Sequence, residues 1–137
     1  MSILTQSTIA NKVSFSGVGV HTGTKVNINI LPSSPNSGII FKRIDLKQNN
    51  IVVPNFENVS EATLCTTISN DFGVKVSTIE HLMAAFLGLG IDNVMVEIDS
   101  QEIPILDGSA KDLVKILRET GLKNRDTIKE FKSKIDN

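Results

Sequence analysis

Few residues in this 137-residue chain have plain chemical capacity: His21, His81, a single cysteine at Cys65, and the carboxylates Glu80 and Asp107 placed where helices would begin. Glu80 and His81 are adjacent in the run "VSTIEHLMAAFLGLG". A carboxylate can accept a proton from water and an imidazole can ligate a metal, so the pair has the types for metal-assisted hydrolysis. The same glutamate also fits a structural role. Ser77-x-x-Glu80 has capping-box spacing, and a carboxylate is favoured at the positive end of a helix dipole. Neither common helical zinc pattern is complete, because Ala85 and Ser77 stand where a second histidine would be needed. Spacing alone leaves both roles open.

The remaining candidates read more simply. His21 lies in "SGVGVHTG", where Gly17, Gly19 and Gly23 mark a turn-rich loop; no helix follows, so this is no dinucleotide fingerprint, and His21 is expected as a loop residue bonded to backbone. Asp107 in "PILDGSA" precedes an apolar-periodic run and is expected to cap it. Cys65 has no basic neighbour in sequence to stabilise a thiolate, which favours packing.

These residues must be positioned by ordinary elements. "TKVNINI" alternates, with Val26, Ile28 and Ile30 on one face, and "LPSSPNSG" then turns the chain into "IIFKRI", which predicts a hairpin. "TLCTTIS" and "VKVS" flank "NDFG" and predict a second pair. Ile79, Leu82, Met83, Phe86 and Leu87 make one helical stripe, stopped by Gly88 and Gly90, with Glu80 at its margin and His81 turned away from it. "NVMVEID" alternates as a strand. A second helix buries Ala110, Leu113, Val114 and Leu117 and stops at Gly121, while Lys111, Asp112, Lys115, Arg118 and Glu119 stay wet. The sum is an α+β fold, a two-layer sandwich of a mostly antiparallel sheet with two helices on one face. From Lys123 the charged run reads as a linker or frayed end.

Composition narrows the partners. A net charge of −1 with scattered Lys and Arg offers no footprint for nucleic acid. Leu82 to Ile91, the longest nearly apolar run, is too short for a transmembrane segment, and the N-terminus lacks a signal-peptide pattern, so a cytoplasmic protein is expected. One cysteine excludes an internal disulfide. Trp and Tyr are absent, so the core must be aliphatic with Phe.

Taken together, "GVGVHTG", "TLCTTISNDFGVKVSTIEHLMAAFLGLGIDN" and "EIPILDGSA" resemble, in order, the N-terminal half of the UDP-3-O-acyl-N-acetylglucosamine deacetylases, zinc amidases of lipid A biosynthesis. The resemblance implies two similarly folded domains with an active site in the cleft between them. Residues 1–122 then correspond to the first domain and 123–137 to a linker or a truncated start of the second. It implies Glu80 as the catalytic residue acting on zinc-bound water, His81 as a Zn2+ ligand, and Leu64 and Cys65 as substrate-pocket residues; His21 matches a motif position without a role. The other ligands, a histidine and an aspartate in "H-K-x-x-D", belong to the second domain, and this chain has no such motif. The implied partners are UDP-3-O-acyl-N-acetylglucosamine and a complementary second-domain chain, and the chain alone is expected to be inactive. The rival expectation is a non-catalytic α+β binding or interaction module derived from that fold.

Overall fold

A computed structural model describes residues 5–54, 59–61, 66–104 and 110–128. Leu64, Cys65, Asp107 and residues 129–137 lie outside them. The elements in chain order are β1 (Thr5–Ile9), β2 (Val13–Val18), β3 (Lys25–Pro32), β4 (Ile39–Arg43), β5 (Ile51–Val52), β6 (Val59–Glu61), β7 (Thr67–Ser69), β8 (Lys75–Ser77), α1 (Glu80–Leu89), β9 (Val94–Ile98), α2 (Ala110–Thr120) and β10 (Leu122–Ile128).

The main sheet has the order β2-β3-β9-β4-β5. Period-two alternation places Val26, Ile28 and Ile30 of β3 beside Val94, Val96 and Ile98 of β9, with Phe41 of β4 and Val52 of β5 continuing the same buried face. Leu82, Ala85 and Phe86 of α1 and Leu113 and Leu117 of α2 complete that core, and the two helices pack on each other. Each fully buried aliphatic or Phe side chain contributes about 1.5–3 kcal/mol. The opposite strand positions are polar: Ser14 Oγ donates to Asn29 Oδ1 (2.7 Å), Asn29 Nδ2 to Glu97 Oε1 (3.2 Å) and Asn27 Nδ2 to Asp99 Oδ2 (2.7 Å). The expected α+β two-layer sandwich is what forms.

Three expectations need correction. β3 and β4 do not make a hairpin, because β9 lies between them, antiparallel to β3 and parallel to β4. β9 is apolar enough to be central, and the segment joining β3 to β4 must cross about 10 Å, two strand spacings, rather than turn tightly. It is fastened by side chains: Asn93 Oδ1 accepts from Gly38 N–H (2.9 Å) and Gln6 Oε1 from Asn36 N–H (2.8 Å). The helical stripe is also rotated: Ala85 is buried while Leu87 is 84% exposed, and Gly88 sits inside α1. Gly90 alone ends the helix, at φ 71°, with the Gly90 and Ile91 N–H groups reaching back to the carbonyls of Leu87 and Phe86. Finally, where a linker or frayed end is expected from Lys123, residues through Ile128 form β10, antiparallel to β1. Backbone pairing makes this strand, so its charged side chains gave no periodic signal.

The predicted β7–β8 pair is present, with β6 added on the far edge of β7. α2 follows expectation where its side chains are described: Leu113 and Leu117 are buried, Val114 is partly buried, Lys115, Arg118 and Glu119 are exposed, and Gly121 stops it at φ 82°, while the side chains of Ala110, Lys111 and Asp112 lie outside the described set.

Candidate active site

The chemistry-bearing pair opens α1, and the capping box does not form. Ser77 belongs to β8, and among the described residues its hydroxyl makes only a 3.5 Å contact with the carbonyl of Gln101. The helix begins after Ile79, with no side-chain cap. Between strand and helix, Thr78 takes a left-handed backbone at φ 62°. For a β-branched residue that is an outlier, costing about 1–3 kcal/mol, and such strain persists only where the surroundings hold it.

That turn lets two groups converge on Thr66. The Thr78 N–H donates to the Thr66 carbonyl (2.9 Å), and Glu80 Oε2 accepts from the Thr66 N–H (3.0 Å). Oε1 of Glu80 has no hydrogen bond among the described residues. His81 is exposed, as its position opposite the buried stripe requires, and Ala84, Leu87 and Gly88 continue the exposed strip of the helix beyond it.

Holding Thr78 from behind is Glu102, 0% exposed and absent from the sequence-level candidates. Its carboxylate accepts from His21 N–H (2.9 Å to Oε2), Thr22 N–H (2.9 Å to Oε1) and the Thr78 hydroxyl (3.3 Å). Burial pushes this carboxyl's pKa up, but the His21 and Thr22 amides and the Thr22 and Thr78 hydroxyls outweigh it, leaving it below the usual carboxylate range. The backbone reinforces the contact: Ser77 N–H donates to the Gln101 carbonyl (2.8 Å) and Ile103 N–H to the Ser77 carbonyl (3.0 Å).

The glycine loop is cut to fit this carboxylate. A Cβ on Gly19 would lie 2.6 Å from Thr22 Oγ1 and closer still to Glu102 Oε1, nearer than real Cβ atoms come. Gly19 is therefore needed for space. Its loop closes through Gly19 N–H to the Thr24 carbonyl and Gly23 N–H to the Gly19 carbonyl, both 2.9 Å. His21 thus contributes its backbone N–H, while its side chain is exposed.

Four separated segments meet here: the loop around His21, Thr66, the start of α1 and Glu102. Leu64 and Cys65 immediately precede Thr66 in sequence but lie outside the described residues, as does Asp107. Spacing alone did not single out Glu102, although it opens the "EIPILDGSA" run that carries the resemblance.

The sequence profile of the UDP-3-O-acyl N-acetylglycosamine deacetylases matches residues 6–136. The chain belongs to this deacetylase family. Relatives described as UDP-3-O-acyl-N-acetylglucosamine deacetylase include those of Shewanella baltica and Shewanella denitrificans, each 45% identical over 126 residues, and of Shewanella oneidensis, 44% identical over the same length. Each match covers 92% of this chain and 41% of the relative. The chain therefore spans about two-fifths of the length of these deacetylases. The family is one of hydrolases, and among the described residues no helix is long and apolar enough to cross a membrane.

A zinc ion does not fit the described residues of this deacetylase-family chain by themselves. Zinc sites use three or four protein ligands, and no group of three His, Cys, Asp or Glu side chains gathers among the described residues. His81 offers one imidazole, and the Glu80 carboxylate already holds an amide.

Proposed function

We propose that this chain is the first half of a UDP-3-O-acyl-N-acetylglucosamine deacetylase, in which Glu80 is the general base and His81 one zinc ligand of a site completed by a second half. The observation that supports this reading is the division of labour at the start of α1. Glu80 is fixed through Oε2 by the Thr66 amide and its Oε1 has no hydrogen bond among the described residues, while His81 is exposed on the neighbouring position. A base needs a defined direction and an open lone pair, and this arrangement supplies both. His81, with further ligands from the second half, would hold a zinc ion whose chemistry there would be to lower the pKa of a bound water. Glu80 would take a proton at Oε1, and the N-acetyl amide of the substrate would be cleaved to acetate and a free amine. Leu64 and Cys65 are proposed to contact the substrate. The apolar strip on α1, with Leu87 84% exposed, is consistent with a second half packing there. Residues 1–122 are the first domain in this reading, a cytoplasmic location suits its nucleotide-sugar substrate, and the chain alone is inactive.

Co-expression with the complementary half of the Shewanella baltica relative, followed by metal analysis and an amidase assay, tests the proposal. Stoichiometric zinc and deacetylation are expected. His81→Ala should lose both, and Glu80→Gln should retain zinc but lose about 10²–10⁴-fold in rate. A complemented protein with neither zinc nor activity, unchanged by His81→Ala, would refute it. That no three-ligand group gathers among the described residues favours a second reading, a non-catalytic α+β binding module. Saturable binding of UDP-N-acetylglucosamine by the chain alone, with no activity after complementation, would select that module.

A further inference from the structure

We propose that Glu102 is a positioning residue for the Glu80–His81 pair, acting through the left-handed turn at Thr78. The inference rests on the reading of that pair as the working groups. Among the described residues Glu102 makes no hydrogen bond to either of them. It holds the Thr78 hydroxyl (3.3 Å) and the His21 and Thr22 amides (both 2.9 Å) from a fully buried position. Thr78 in turn donates to the Thr66 carbonyl, and the Thr66 N–H is what orients the Glu80 carboxylate. The path Glu102, Thr78, Thr66, Glu80 is continuous, with each link a hydrogen bond of 3.3 Å or less.

Two features exceed what simple packing needs. A buried glutamate is kept ionised by converging donors where an apolar residue would fill the space, and that is how a protein holds a turn in a conformation its sequence resists. The glycine loop, for its part, omits a side chain at Gly19 so that the carboxylate can sit against it. Loop and helix start are therefore registered on one charged group. Displacing that charge lets Thr78 relax toward ordinary backbone, and Thr66 then loses its alignment with Glu80.

Amide hydrogen exchange on the intact chain tests this. In Glu102→Gln, which keeps shape but replaces an acceptor oxygen with a donor, the His21 and Thr22 amides should exchange faster. The deciding signal is the Thr66 amide. It should exchange roughly tenfold to a hundredfold faster relative to the Val96 amide in the central strand, the effect of losing one charge-assisted hydrogen bond. The ring signals of His81, one of only two histidines, should shift with it. Thr78→Val, nearly isosteric and removing one hydroxyl, is the gentler variant and should accelerate Thr66 severalfold. Equal acceleration of Thr66 and Val96 would mean a loosened fold, and acceleration confined to His21 and Thr22 would mean a loop anchor; either overturns the proposal. So does Thr66 exchange unchanged in Thr78→Val. None of these readouts needs zinc or turnover, so failure of the deacetylase reading would be seen separately, in the complemented protein.

Discussion

Replacing Asn93 by Ala removes a side-chain amide that ties the end of the α1 segment to two distant parts of the chain. Asn93 is 1% exposed; its Oδ1 accepts from Gly38 N–H and its Nδ2 donates to Gln6 Oε1, both at 2.9 Å. The two losses are unequal. Gln6 Oε1 still accepts from Asn36 N–H, so that side gives up one ordinary hydrogen bond, about 1 kcal/mol. Gly38 N–H loses this acceptor, which costs about 1–3 kcal/mol, lowered because half-buried Gly38 can recover water. The expected destabilisation is about 2–3 kcal/mol, or a fall of roughly 1–1.5 M in the urea midpoint for a slope near 2 kcal/mol/M. With no Trp or Tyr, far-UV circular dichroism is the suitable probe. Asn93→Asp sharpens the test: it keeps the acceptor for Gly38 but loses the donor to Gln6, whose Nε2 is held by Asn36 Oδ1 (2.7 Å). Its stability should fall further as pH rises through the carboxyl range near 3.9. A change below about 0.5 kcal/mol in Asn93→Ala would refute the claim that this amide fastens the connection between β3 and β4.

Two further outcomes follow from the site. Ser77→Ala should change stability by less than about 0.5 kcal/mol, whereas Glu80→Ala should cost about 1–2 kcal/mol through the lost Thr66 hydrogen bond; equal losses in urea unfolding would restore the capping box. Glu102 has a depressed pKa in the folded chain, so its stabilisation is present above its unfolded pKa of about 4.3 and is lost as pH falls through the lower folded value. Acid unfolding of Glu102→Gln should accordingly lack that part of the acid limb, and a variant with the full wild-type acid dependence would contradict the assignment.

The elements were legible where one face of each is buried. Val26, Ile28 and Ile30, or Leu113 and Leu117, announce their period because water is excluded from one side only. Strand order was not legible. A Pro-, Ser- and Gly-rich segment reads as a turn whether the chain returns beside itself or steps across a neighbour, and only β9, more than fifty residues later, decides which. Glu80 and His81 stood out as a pair, and the outward position of His81 followed from helical geometry. The capping-box spacing misled because it cannot register that Thr78 adopts a left-handed conformation and delays the helix start. The role of Glu102, in the run "EIPILDGSA", was hidden for a related reason. Its meaning lies in three donors from residues 21, 22 and 78, all remote in sequence.

The placement of β9 between β3 and β4 also sets an order on chain synthesis. Until residues 94–98 leave the ribosome, β3 and β4 each lack the neighbour that covers one edge, and the glycine loop waits longer still for Glu102. A nascent chain halted before residue 94 would carry two apolar strands with open edges, the kind of intermediate that chaperones hold and that aggregates without them. The sheet and the loop beside the helix start thus become complete within a few residues of each other, so the working end of the molecule is assembled only once its centre can close.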